Sequence, residues 1–242
     1  MTQRPTFKYF CSVWLCLSTL FSSAPTWAKT LAWPTGIQVG ADALRPFQEQ
    51  YNGQKGTQYE LNATTDFARW ILEGDWGWGT IRWEGHNKKT ATQSSYASDG
   101  QYFRIGLNYN LLHDTPEKNM AFLGFRYARS FFNDHLASKV CYDSNGLIKD
   151  EYEPINSKHS NVTAHWLEAV AGVKVKVWKL LYIGGTIRYK FGLRLHRTAA
   201  HRPYDVPGWG LNRDTGAFGC NLYLALRIPF VRNIAPNSSR GE

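Results

Sequence analysis

The feature that most constrains this chain is the period of its apolar residues over 165–193, which reads HWLEAVAGVKVKVWKLLYIGGTIRYKFGL. Leu167, Ala169, Ala171, Val173, Val175 and Val177 alternate with Trp166, Glu168, Val170, Gly172, Lys174 and Lys176. After Trp178-Lys179-Leu180 the alternation resumes, with Leu181, Ile183, Gly185, Ile187, Tyr189, Phe191 and Leu193 on one face. Tyr182, Gly184, Thr186, Arg188, Lys190 and Gly192 occupy the other. Side chains of a strand alternate between faces, so a period of two predicts a long hairpin. Each strand has about 13 residues, against roughly 5–6 in an ordinary globular strand and roughly 9–11 in one that crosses a bilayer at a tilt. One face is greasy and the other carries Glu, Lys and Arg. That polarity, apolar toward lipid and polar toward a lumen, is the pattern of a transmembrane barrel. A soluble barrel of lipocalin type would need the reverse.

Six further stretches show the same alternation: 37–43, 59–67, 70–82, 102–111, 120–131 and 218–230. Between the eight strands, long connections (44–58, 83–101, 132–164, 194–217) alternate with short ones (68–69, 112–119, 178–180). Bacterial outer-membrane barrels have an even strand number, long extracellular loops and short periplasmic turns. The expected fold is therefore all-β, a closed eight-stranded antiparallel transmembrane β-barrel with four long extracellular loops. Aromatics near the strand ends, among them Trp33, Trp70, Trp83, Trp166, Trp178, Tyr182 and Phe230, fit interfacial girdles.

The inward set carries the charge. Asp42, Glu60, Asp66, Glu73 and Asp75 come from the first three strands. Arg104, Arg126, Lys174, Lys176, Arg188, Lys190 and Arg227 come from the other five, with Glu168 the one acid among them. Closing the barrel sets the acidic third against the basic arc. Eight strands leave a bore just wide enough for side chains to fill, and charges buried there must pair. The expectation is a plug of ion pairs, with Glu73 or Asp75 on Arg104 and Arg126, in preference to a gated pore.

The chain begins with the marks of a secretory signal over 1–28: Arg4 and Lys8, a short apolar region, and cleavage after Ala28 or Ala24. The barrel is expected over 29–230, followed by a short tail, 231–242. No later segment has the roughly 18 apolar residues of a membrane-spanning helix. The formal charge of +9 falls to +7 once Arg4 and Lys8 are set aside. The remaining bases are interleaved along strands and not gathered in a run, which argues against a nucleic-acid partner. Cys11 and Cys16 lie in the signal, and Cys141 and Cys220 are not expected to pair.

Chemistry is sparse. His159 beside Ser160 and His196 near Thr198 are the candidates for hydrolytic work, but neighbours on an extended strand face opposite ways. His196, His201 and Asp205 share a loop without tight metal-ligand spacing. The sequence therefore predicts no catalytic, cofactor-binding or metal site, and no enzyme. The segment 132–164 is long enough either to cover the barrel mouth or to dock a partner. The outward face of the third strand carries Trp70, Trp76 and Trp78, a surface able to dock another barrel or to anchor in the interface.

YFRIGLNYNLL, FLGFRYARSFF, HWLEAVAGVKVKVWK, IRYKFGLRL and the segment from YDVPGWG to FGCNLYLALRIPF resemble an uncharacterised outer-membrane β-barrel family of Bacteroidota, a domain of unknown function. The likeness runs from about Gly36 to Phe230 and includes no catalytic motif. It implies a cell outer-membrane location, in which the even strand number and the alternation of long and short connections place both termini in the periplasm. It also makes plausible partners of outer-membrane lipid and of other proteins in an outer-membrane assembly complex, where a small barrel would be an accessory subunit or scaffold. A lipid-modifying enzyme acting on lipid A acyl chains and a small-solute channel are the alternatives.

Overall fold

The computed structural model describes residues 33–44, 55–87, 92–112, 115–139, 155–195, 202–212 and 214–230. The expected signal (1–28), the tail (231–242), Cys141, His196, Thr198 and His201 lie outside the described residues.

Eight antiparallel strands form a closed barrel: β1 (Gly36–Asp42), β2 (Lys55–Phe67), β3 (Trp70–Asn87), β4 (Thr92–Asn110), β5 (Met120–Lys139), β6 (Ile155–Trp178), β7 (Leu181–Arg194) and β10 (Gly216–Pro229). Two short strands, β8 (Asp205–Val206) and β9 (Gly210–Leu211), make a separate hairpin. Each long strand pairs with its neighbour in the chain, and β1 closes the ring on β10, from Gly36 opposite Pro229 to Asp42 opposite Tyr223. The fold class read from the periodicity is thus the fold observed. Two-residue turns at Ala68-Arg69 and Lys179-Leu180 sit on the same rim as the start of β1 and the end of β10.

The faces also follow the alternation. On β10, Asn221, Tyr223, Ala225 and Arg227 are buried, while Leu222, Leu224, Leu226 and Ile228 are exposed. Phe125 is 72% and Phe218 80% exposed. A protein bathed in water would hide rings of that size; here they stand on the outer wall and the charges stand inside. Cys220 is exposed on the same wall. The wall is edged by aromatics. Toward the long connections lie Tyr59, Trp76, Trp78, Tyr189 and Phe218, in contacts such as Trp76–Trp78 at 5.3 Å and Tyr189–Phe218 at 4.9 Å between ring centroids. Toward the turns, Trp70 meets Tyr109 edge-on at 5.4 Å.

The strands outrun their periodic stretches. β3 and β4 stay paired as far as Asn87 opposite Thr92, and β5 and β6 as far as Ser138 opposite Ile155. Most of the expected loop 83–101, and both flanks of 132–164, are therefore ladder. Beyond the apolar belt the outer face turns polar and the inner face is mixed, so the hydrogen-bonded ladder continues without the pattern that would announce it. The segment 140–154 lies outside the described residues.

Candidate functional site: a filled lumen and its cap

Three layers fill the barrel. Toward the turns, Ile71, Met120, Phe122 and Val170 form an apolar floor. Toward the open rim, Tyr102, Ala128, Phe132, Val162, Ala164, Trp166 and Leu195 form an apolar roof with Val206 and Trp209 of the 202–212 segment. Between and around these layers lie buried charges: Asp42, Glu60, Asp66, Glu73, Asp75 and Glu168 against Arg104, Arg126, Lys174, Arg188, Lys190 and Arg227. Among the described residues, two further acids, Asp134 and Asp205, are buried toward the open rim.

Strand register makes the central contacts. Asp75 sits opposite Arg104, and Glu73 lies two residues below Asp75 on the same inward face. Arg126, on β5, bridges both acids, reaching Glu73 at 2.5 Å and Asp75 at 2.6 Å. Arg104 binds Asp75 at 3.0 Å and pairs with Glu60 of β2, across β3. Lys174 closes the lower end on Glu73 Oε1 at 3.0 Å, Thr64 Oγ1 at 2.6 Å and Asn62 Oδ1 at 3.0 Å. Asn62 and Asn108 donate the remaining hydrogen bonds to Glu73, at 2.7 and 2.6 Å. Asn221 bridges Asp42 and Glu60, and Arg227 meets Asp66 at 3.0 Å. Glu168 accepts from Trp166 Nε1 at 2.7 Å and lies 3.8 Å from Arg188 Nε.

Lys176 is the correction to the inward set. It is exposed at the turn rim, where the register shifts between Lys176 and Trp178, and its backbone N–H donates to Asn119 Oδ1 at 2.8 Å. A strict period of two fails at a strand end, because the irregular pairing there turns the side chain out of its row.

The cap was not legible as such. It comes from the connection between β7 and β10, through residues 202–212; the middle of 132–164 lies outside the described residues. Lys190 holds it from below, donating to the carbonyls of Gly208 at 2.9 Å and Trp209 at 2.7 Å. Trp209 packs edge-on against Trp166 at 5.8 Å. Gly208 lies with φ at +84° over the Tyr102 ring, and a Cβ there would come 2.6 Å from Tyr102 Cγ, so this position requires glycine. From above, Tyr96 donates to the Asp205 carbonyl at 2.9 Å and Trp83 Nε1 to the Asp205 carboxylate at 2.9 Å. Burial, with Asp134 nearby, holds the Tyr96 phenol above its ordinary pKa, which keeps it a donor. The signal within YDVPGWG was its glycine and tryptophan so close together in a polar connection.

The other singled-out residues are dispersed. Trp70 lies in the belt near the turns, and Trp76 and Trp78 in the opposite belt, all exposed. His159 meets Asp134, with Nδ1 3.4 Å from Oδ1. Its hydroxyl neighbour is Ser157, whose Oγ lies 3.5 Å from both ring nitrogens and so is aligned on neither. Among the described residues, no group of three or more His, Cys, Asp or Glu is arranged to hold a metal.

No curated protein matches the chain in sequence. Among solved structures, Ail, the attachment invasion locus protein of Yersinia pestis, is similar at 10% identity and a TM-score of 0.35, covering 80% of this chain and 97% of Ail. Neisserial surface protein A is similar at 13% identity and a TM-score of 0.35, covering 81% of this chain and 94% of its own. The family profile described as "Domain of unknown function (DUF6048)" matches residues 6–233. That match takes in every strand of the barrel, its ionic interior and its cap, and the chain belongs to the DUF6048 family.

Proposed function

We propose that the protein is a non-conducting outer-membrane barrel, an accessory or structural component that works through its outer wall and its long-connection rim. The observation that carries this reading is the lumen, where buried acids and bases pair between an apolar floor and a capped roof. An interior so filled leaves the surface as the place of work. The apolar wall with its two aromatic edges supports membrane insertion. The barrel ends share the rim of the short turns, which in such barrels faces the periplasm, so the long connections face outward. An expected partner is another outer-membrane protein, as in an assembly complex.

Reconstitution of the purified barrel in planar bilayers tests the central point. The expected record is flat at all voltages at which the bilayer holds. Stable, ion-selective conductance steps overturn the reading in favour of a channel. A mild-detergent pull-down after cross-linking, with the tag following Glu242, tests the accessory role, which fails if native membranes yield only monomer. A lipid-modifying role has one observation in its favour, the contact of His159 with Asp134 and Ser157. A change in lipid A acylation that His159→Ala abolishes would establish it.

A further inference from the structure

A row of basic side chains crosses the outer wall just beyond the aromatic belt. Strand register aligns Phe103, Arg129, His165 and Arg194 on β4, β5, β6 and β7 in turn. Residues directly opposite in a ladder have Cβ atoms about 5 Å apart, so Arg129 and His165 are close neighbours, and Arg194 follows His165 at the register shift beside Trp166. Arg129 and Arg194 are exposed. The Arg129 guanidinium lies 4.7 Å over the Phe131 ring, and the His165 ring lies 6.1 Å from that of Tyr127. Among the described residues, none of the three bases meets a carboxylate in an ion pair, and His165 Nδ1 is buried without a hydrogen-bond partner.

Next to this row the wall is indented. At Asn161 (φ +57°) the β5–β6 register slips, from Phe132 opposite Val162 to Asp134 opposite His159. The Asn161 N–H is taken up by Asn133 Oδ1 at 3.0 Å. Such a bulge bends the strand. The groove beside it has a volume of about 440 Å³ and is lined by Trp78, Asp99, Gln101, Phe131, Asn133 and Thr163. Aromatic faces beside a carboxylate, two carboxamides and a hydroxyl suit a sugar, whose ring faces are apolar and whose edges are hydroxyls.

We infer that this wall binds the headgroup of a phosphorylated glycolipid of the outer leaflet, with the phosphate on Arg129, His165 and Arg194 and the sugar in the adjoining groove. The inference rests on the membrane reading above. Height and charge select the occupant: lipid phosphates sit where the apolar wall ends, and guanidinium groups bind them with charge-assisted hydrogen bonds. A glycerol headgroup would meet the bases but leave the groove empty. Asp99 would repel a second anion there, which confines the phosphate to the Arg129 side.

The test uses the full mature barrel in phosphatidylcholine nanodiscs, with diphosphoryl lipid A and phosphatidylglycerol as probes and native mass spectrometry as readout. Diphosphoryl lipid A is expected to bind at least roughly tenfold more tightly than phosphatidylglycerol, and Arg129→Glu with Arg194→Glu to weaken it by roughly tenfold or more. Arg129→Gln, which keeps the stem over Phe131, serves if the double variant fails to migrate as a folded barrel, with an expected loss of several-fold. Gln101→Ala with Phe131→Ala should erase the preference over phosphatidylglycerol. Equal binding of the two lipids, or binding unchanged in the arginine variants, overturns the proposal while leaving the membrane reading intact. A barrel that never enters the nanodisc refutes that reading itself.

Discussion

Replacing Arg126 with leucine is expected to lower the stability of the inserted barrel by about 3–5 kcal/mol. Arg126 is buried and bridges Glu73 and Asp75. Its removal leaves Lys174 alone on Glu73 and Arg104 alone on Asp75, with each acid short of a donor in a space that water does not readily reach. The penalty comes from the charges left behind, so Arg126→Leu combined with Glu73→Gln should recover part of the loss. Urea unfolding followed by tryptophan emission, with compact migration of unboiled samples as the fold check, measures the difference. Lys176→Leu is the control: its side chain is exposed at the rim and should move stability by no more than about 0.5 kcal/mol. Equal shifts for Arg126 and Lys176 would mean that the lumen network does not support the barrel.

The second large effect is expected on the outer wall. Leu224→Arg puts a cation on the lipid-facing side of β10 and should cost about 2–4 kcal/mol near the bilayer centre, and Val173→Arg the same on β6. Both residues are exposed on the wall, so neither change creates a cavity or a clash inside. The cost arises only if lipid is the surrounding solvent. Ser95→Arg, on an exposed position of β4 beyond the belt, should change stability by less than about 0.5 kcal/mol. A harmless Leu224→Arg alongside a ruinous Lys174→Leu would mean that the wall faces water.

These contrasts also mark what the sequence could and could not say. Wherever one face of a strand meets lipid and the other the lumen, the two solvents impose opposite demands on alternate residues, and the period exposes both. Leu222 to Ile228 on β10 and Leu167 to Val177 on β6 were legible for that reason. So was the meeting of Glu73 and Asp75 with Arg104 and Arg126, because eight strands bring the acidic and basic arcs within side-chain reach. The upper ladders of β3 to β6 were not legible, because the inner face mixes Ser98 and Asp134 with Tyr96, Phe132 and Val162 while the outer face turns polar, and no period survives. Lys176 was misread because a strand end does not hold the alternation. The cap was missed because Lys190 was read only as one of the inward charges, and its ammonium also binds the backbone carbonyls of Gly208 and Trp209. Residues so far apart in kind, a strand lysine and a loop backbone, leave no pattern in composition or spacing. The bulge at Asn161 has one weak signature, an asparagine in the left-handed region, visible only once the backbone is known.

The account turns on which tryptophans touch lipid. Trp76 is 53% exposed on the outer wall, whereas Trp209, in the cap, is 2% exposed. Two single-tryptophan barrels, one keeping only Trp76 and the other only Trp209, can be inserted into vesicles of brominated phosphatidylcholine, whose chains quench emission on contact. The expected result is strong quenching of Trp76 and emission from Trp209 close to that in unbrominated lipid. Quenching of Trp209 as deep as that of Trp76, or none at Trp76, would contradict a barrel that turns its aromatics to the membrane and its charges inward.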